Sequence, residues 1–368
     1  MTINKIPTES YVDATRSILK IGGTVIDFID WHNEYSGAYE AGTFRASINA
    51  PLDSWSWWSQ QTEIVVDVYA GTPPDPLTYS ASDLTHMMTV RCDQIELDPA
   101  NQRVELSGRD LTGLLTDNKT TDKWPNSTAS QIAALIAAKF NLQTNIQPTT
   151  GNVGSFYTTD HVKLARSDTY WNLLTYLAQR VGYQVFILGN TLYFGNFAAQ
   201  FNTEPYLIQF QQSNTGYQSS NAEHLEFSRD LTISNDISVV VRSYHGYRNA
   251  AYTGTATATK VNKKIELSAE LAQGIQHYDF IIPNLTKAEC ELKATELLKS
   301  ISQHELKLEA RLPFDTILYP WVNVLVEGTA TVWDTTYTPK RVSRSFSKDH
   351  VSMEVRATAG IPVQTVTL

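Results

Sequence analysis

The sequence predicts a mixed, mainly β protein: two antiparallel β-barrel domains with a small α/β domain inserted between them. Three observations lead there. Residues 17–108, and again the chain after residue 225, consist of short runs rich in β-branched and aromatic residues broken by turn residues. Between these stretches the apolar spacing changes from strand period to helix period. Finally, 368 residues with 42% hydrophobic and 18% charged side chains exceed one ordinary core, which usually takes roughly 100–200 residues. The expected division is 1–117 for the first barrel, 118–224 for the α/β domain and linker, and 225–368 for the second barrel, which carries a helix at about 286–303.

In the first stretch the strand candidates are SILKIGGTVIDFID, TFRASINAP, EIVVDVYAG, MMTVRCDQIELD and RVELSGRD. Gly22-Gly23 marks a bulge or tight bend, and Pro99-Ala100-Asn101-Gln102 a short hairpin connection. Then Thr128-Ala129-Ser130-Gln131 fits a capping box, with Ile132, Leu135, Ile136 and Phe140 at helical spacing behind it. A second helix starts near Ser167 or Asp168. It carries Trp171, Leu174, Leu177, Ala178 and Val181 on one stripe and stops at Gly182. YQVFIL, Gly189-Asn190 and TLYFG form a hairpin with a turn suited to the primed types.

The polar run QQSNTGYQSSN reads as a linker. Strand signals resume with LEFSRDLTI, DISVVVRSYH and GTATATKV, and later with WVNVLVEG, YTPKRVSRSF and VSMEVRAT. One helix interrupts them: Thr286 and Glu289 form a capping box, and Cys290, Ala294, Leu297, Leu298 and Ile301 share a face.

A net charge of −9 argues against a protein that grips nucleic acid by its phosphates, which takes clustered Lys and Arg. The first residues have no apolar stretch of signal-peptide length, and no segment approaches the roughly 18 consecutive apolar residues of a membrane span. The expectation is synthesis in a cytosol and no membrane insertion. Cys92 and Cys290 lie far apart with no CxxC spacing, so neither a zinc site nor a disulfide framework is indicated.

Catalytic templates fail: there is no GxSxG, GxxxxGK[ST], GxGxxG after a strand, or HExxH. Glu223, His224 and Glu226 form the nearest metal-like cluster, and they read as surface charges at a domain entry. His245 in SYHGYR reads as a solvated loop histidine. No catalytic, cofactor-binding or metal-ligating residue is assigned. Trp55, Trp57 and Trp58, with Trp31 and Tyr35 upstream, could stack on sugars or anchor an interface, although core packing leads. If the tryptophans lie on a strand, Trp55 and Trp57 face one side and Trp58 the other, so at least one points away from the core.

The segment RVELSGRDLTGLLTD, with Gly108, Arg109 and Asp110 followed by Leu111, Leu114 and Leu115, resembles a motif of phage tail hub proteins, the Mu-like baseplate hub and late control D family. The following helix TASQIAALIAAKFNL and the YWNLLTYLAQRVGYQVFILGNTLYFG stretch are similar to that family's central domain, and the later β-rich run continues in family order. The resemblance implies two tail-tube-like barrels per subunit and a homotrimeric ring that adapts a sixfold tail tube to a threefold central spike. The implied partners are the tail tube protein, the central spike protein and other baseplate proteins, with DNA only in transit. The implied place is the virion tail baseplate, after synthesis in host bacterial cytoplasm. It implies no enzyme activity and no cofactor. For Arg109 and Asp110 the expected role is structural: a turn carboxylate capping N–H groups and an arginine pairing nearby. An acidic bore would let DNA slide past. The C-terminal IPVQTVTL is expected to be a docking arm or a frayed end. The competing classes are a receptor- or carbohydrate-binding tail protein, suggested by the tryptophans, and a cell-wall or capsule hydrolase using an unidentified carboxylate pair.

Overall fold

A computed structural model describes residues 15–122, 124, 126–151, 168–197, 201, 204–211, 219–231, 237–245, 250–258, 276–283 and 285–360. The IPVQTVTL segment and Tyr247 of SYHGYR lie outside them. The protein is mainly β. Its first part comprises β1 (Arg16–Ile21), β2 (Thr24–Ile26), β3 (Phe28–Ser36), β4 (Thr43–Asn49), α1 (Trp55–Gln60), β5 (Val65–Gly71), β6 (Thr85–Asp98) and β7 (Arg103–Asp110). Then come α2 (Thr112–Asp117), β8 (Lys119–Thr120), α3 (Ala129–Lys139), β9 (Gln143–Ile146), β10 (Asp168–Thr169), α4 (Tyr170–Val181), β11 (Gln184–Leu188) and β12 (Thr191–Gly195). The rest comprises β13 (Tyr206–Gln211), β14 (Ser219–Ser220), β15 (His224–Arg229), β16 (Ile237–His245), β17 (Ala250–Ala258), β18 (Gln276–Ile281), α5 (Lys287–Ser302), β19 (Leu306–Leu312), β20 (Val324–Glu327), β21 (Thr336–Ser347) and β22 (Val351–Ala359).

In the first part the antiparallel order is β3-β4-β7-β6-β5-β1-β2. Strict alternation in β7, whose Val104 and Leu106 point inward while Arg103, Glu105, Ser107 and Arg109 point outward, gives the sheet one apolar and one polar face. The sheet curls on its apolar side until the Trp31 indole of β3 donates to the Ser17 hydroxyl of β1 at 2.9 Å, across four intervening strands. Gly22 and Gly23, both at positive φ, make the β1–β2 turn. At the β6–β7 turn the Asp98 carboxylate accepts from the Asn101 N–H, and Gln102 takes φ +51°.

The second part joins the first along one antiparallel seam, β21 to β3, with Val342 opposite Tyr35 and Phe346 opposite Trp31. From β21 the ladder runs one way through β22 and β19 to β15, and the other way through β20 and β13 to β14. The run 219–229 hands over between these branches: Asn221 bonds back to Gln209 and Leu207 on β13, while the Glu223 N–H donates to the Arg311 carbonyl on β19. Both halves share one apolar core, in which Trp31, Phe44, Leu308, Val324 and Tyr337 are buried. Arg344 is buried at the seam. Its guanidinium donates to the carbonyls of Asp315 and Leu318 and sits 5.0 Å from the Tyr319 ring. β19 and β13 are strands that the sequence pattern does not announce. β19 alternates without fault, but LKLEARL has only one apolar face to show. β13 pairs parallel with β20, so the chain has entered the shared sheet before it reaches the polar run.

The small α/β unit has its own core from α2, α3, α4 and the β11–β12 hairpin, with β9 parallel to β12. The Thr128 hydroxyl and Gln131 side chain form the reciprocal cap of α3. Thr169 caps α4, and Gly182 at φ +71° ends it. Leu135, expected on the apolar face of α3, is exposed; Ile132, Ala133, Ile136 and Ala137 fill that face instead.

The run DISVVVRSYH forms a strand as expected, but it does not belong to the shared sheet. It is the centre of a separate sheet, β17-β16-β18, packed on α5 around Val239, Val241, Cys290, Ala294 and Leu298. His245 ends β16 and so is not a loop residue. This unit leaves the shared sheet after β15 and returns at β19. At its neck the Asp230 N–H donates to the Glu305 carbonyl, and the Arg229 guanidinium holds the fully buried Glu305 carboxylate at 2.7 Å.

Candidate functional site

The Gly-Arg-Asp turn closes β7. An added Cβ at Gly108 would stand 2.3 Å from the Arg91 carbonyl oxygen and 2.7 Å from the Cys92 Cα, because β6 bulges toward it between Cys92 and Gln94. Arg109 makes paired bonds to Asp93 at 2.7 and 2.8 Å and reaches Asp117 at 3.0 Å. The buried Asp110 carboxylate accepts from the Gly42 N–H at 2.9 Å and the Thr112 N–H at 3.0 Å. The expected capping and pairing roles are what the contacts display. Leu111 and Leu115 then enter the core of the α/β unit, so this turn fastens that unit to the first half of the sheet.

Burial pushes the Asp110 carboxyl up to about 6, with the bonds from Gly42 and Thr112 pulling the other way. In the unfolded chain an aspartate releases its proton near pH ~3.9. The folded state therefore holds the extra proton between those values. The stabilisation present below about pH 4 is lost as pH rises through 6, about 3 kcal/mol in all. Urea unfolding of the wild type and Asp110→Asn is expected to diverge by that amount across this window. A difference between them that does not change with pH would refute the assignment.

The tryptophans do not form a strand. Pro51 leads into a 3-10 turn and α1, in which Trp58 is 5% exposed and Trp57 45% exposed, with their rings edge to face at 4.7 Å. The Trp55 indole donates to the Ala50 carbonyl. The side chain that points outward is thus Trp57, since helical rotation places Trp58 toward the core. Trp58→Ala is expected to cost about 3–5 kcal/mol and Trp57→Ala less than about 1 kcal/mol in thermal unfolding. Equal losses would contradict this placement.

Among the described residues no group of three His, Cys, Asp or Glu could hold a metal ion. His224 lies 3.7 Å from Glu226 at the exposed end of β15, as surface charges at a strand entry. Cys92 and Cys290 are free thiols, and burial pushes the Cys92 thiol up to about 12, which leaves it unreactive.

An extended organised surface is the polar face of the shared sheet. It crosses the seam without interruption, from β15 and β19 through β22, β21, β3 and β4 to β7. Glu309 and Arg356 face each other at 3.3 Å, as do Arg311 and Glu354 at 2.8 Å, and Glu34 bonds Arg341 at 3.2 Å. His32 and Ser345 meet at 2.9 Å, and the Ser47 hydroxyl donates to Glu105 at 2.9 Å. Two shallow hollows, of about 270 and 170 Å³, lie among these side chains. Acids and bases alternate here, so the −9 charge of the chain is not gathered on this face. Sequence reading did not single the face out. Its signal was the polar alternate positions of KRVSRS, VSMEVRAT and KLEAR, which acquire meaning only once the strands are in register.

No known family model matches the chain, and no curated protein sequence does. Solved structures do match it. The chain is similar to the tail protein from Neisseria meningitidis MC58, at 14% identity over 94% of this chain and 96% of that one, with a TM-score of 0.64. It is similar to the 43 kDa tail protein of prophage MuSo2 from Shewanella oneidensis, at 12% identity over 95% and 100% of the two chains, with a TM-score of 0.63. Prophage tail protein gp18 from Listeria monocytogenes EGD-e follows at 11% identity over 92% and 91%, with a TM-score of 0.56. The fold is one that phage tail proteins have.

Proposed function

We propose, starting from this shared fold, that the chain is a structural subunit of a phage tail, the hub of a contractile baseplate. The supporting observation is that the likeness to tail proteins runs the length of the chain, while the two β halves share one unbroken polar face and keep their apolar side chains on the other. In this reading residues 1–117 and 225–368 are the two tube-like units. The α/β core within residues 118–224 and the β16–β18 unit inserted in residues 225–368 are the contacts for neighbouring baseplate proteins, while β13 and β14 belong with the second tube-like unit. Three copies form a ring with pseudo-sixfold symmetry, joining the sixfold tail tube to the threefold central spike, and DNA passes through the bore without being held. The protein is made in the host bacterial cytoplasm and ends in the virion. It makes and breaks no bonds, and it needs no cofactor. A carbohydrate-binding role is left with Trp57 as the outward-pointing ring of that cluster, because Trp31, Tyr35 and Trp58 are core residues.

The test is light scattering of the purified protein, with negative-stain images down the particle axis. The expected result is three times the 41.2 kDa chain mass and an open ring. A monomer that also fails to form rings when mixed with tube and spike proteins would overturn the reading.

A further inference from the structure

The polar face carries many arginines for a surface that is meant to let DNA pass. Across four neighbouring strands Glu34, Arg341, Arg356 and Glu309 follow one another, from β3 to β21 to β22 to β19. The two arginines in the middle stand directly opposite each other. Two like charges at such a position repel, and side by side they would make a fork for a phosphate. Each is instead taken up from its outer side, Arg341 by Glu34 at 3.2 Å and Arg356 by Glu309 at 3.3 Å. One residue pair further on, Glu354 takes up Arg311 at 2.8 Å.

We propose that these three carboxylates shield the three guanidiniums from nucleic-acid phosphates, leaving only Arg45 and Lys307, on separate strands of this face, without a carboxylate partner among the described residues. DNA affinity comes chiefly from phosphates displacing counterions at unengaged Lys and Arg. An arginine already bonded to a carboxylate gains little from a phosphate, because it must first lose an equivalent partner. A wholly acidic wall would also refuse DNA, but it would set like charges across the seam that joins the two halves. Alternation avoids that repulsion.

The inference rests on the reading that DNA passes along this face, but its test uses the isolated full-length protein and does not depend on ring formation. The variant is Glu34→Gln/Glu309→Gln/Glu354→Gln. The control, Asp53→Asn/Asp75→Asn/Glu327→Gln, changes net charge equally at exposed positions off this face whose carboxylates form no ion pair among the described residues. Binding to a fluorescent DNA duplex is measured by anisotropy from 50 to 200 mM salt. Wild type and control are expected not to bind. The face variant is expected to bind with a slope of log affinity against log salt near −2.7, about −0.9 per freed arginine, or about a 40-fold loss over that range. If the triple variant does not fold by circular dichroism, the three single variants are expected to contribute about −0.9 each. Binding by wild type, equal binding by the control, or no binding by folded face variants would overturn the proposal. A protein that forms no ring even with tube and spike proteins but behaves as expected here would leave the shielding intact and remove only the hub reading.

Discussion

Gly108→Ala is expected to give no stably folded protein. The methyl group would enter the backbone of the neighbouring strand, 2.3 Å from the Arg91 carbonyl oxygen and 2.9 Å from the Arg91 carbonyl carbon, where no side-chain rotation can relieve the clash. The glycine is required here for space, since its φ is not in the left-handed region. To admit a Cβ, β6 and β7 would have to part beside the bulge, taking with them the Asp110 bonds to Gly42 and Thr112 on which the α/β unit is seated. Overpacking against a fixed neighbour costs about 1–3 kcal/mol when side chains can shift, and more when they cannot. Against a total stability of about 5–15 kcal/mol, with buried N–H groups orphaned as well, most of the folded population is expected to be lost. Solubility on expression and chemical denaturation measure this. A variant within about 1 kcal/mol of wild type would show that the strands part freely at this point.

The second large effect is expected at the neck of the β16–β18 unit. Arg229→Ala leaves the buried Glu305 carboxylate without the guanidinium that bonds it at 2.7 and 3.0 Å. Removing one member of a buried pair costs about 3–5 kcal/mol, and the lower end applies because Arg229 itself is partly exposed. The pair need not be a net source of stability, because an apolar pair of similar volume often does as well. Arg229→Met combined with Glu305→Met is therefore expected to recover most of the loss in urea unfolding. A double variant as unstable as the single one would place the importance of Glu305 elsewhere.

Much of this fold can be read from residues that act locally. Thr128 with Gln131, Thr286 with Glu289, and Gly182 mark helix ends through bonds made within one turn, and the structure has each of them. Gly22-Gly23 and Gly189-Asn190 mark tight turns for the same reason. What could not be read depends on distant partners. DISVVVRSYH is plainly a strand, but its assignment to a sheet of its own is decided by α5 and by the Gln276–Ile281 strand, which pairs with it in parallel. Trp55 to Trp58 carry the β propensity of aromatics, and Pro51 with the local turn overrides it. The Gly-Arg-Asp residues were legible as structural because each has one short-range use. The charged face was not, because a row of alternate polar residues becomes a surface only when seven strands are laid in register.

The neck also bears on the order of folding. Arg229 and Leu306 are cross-strand partners, so β15 and β19 form in effect a hairpin whose loop has grown into a folded unit, with Arg229 and Glu305 76 positions apart in sequence. Closing a flexible loop of that length costs about 2.5 kcal/mol more in chain entropy than closing a four-residue turn. If the β16–β18 unit folds first, its two ends already lie together and that difference disappears from the pairing of β15 with β19. The effective contact order of the second half is then far lower than its numbering suggests, and strand pairing there is expected to wait on the inserted unit.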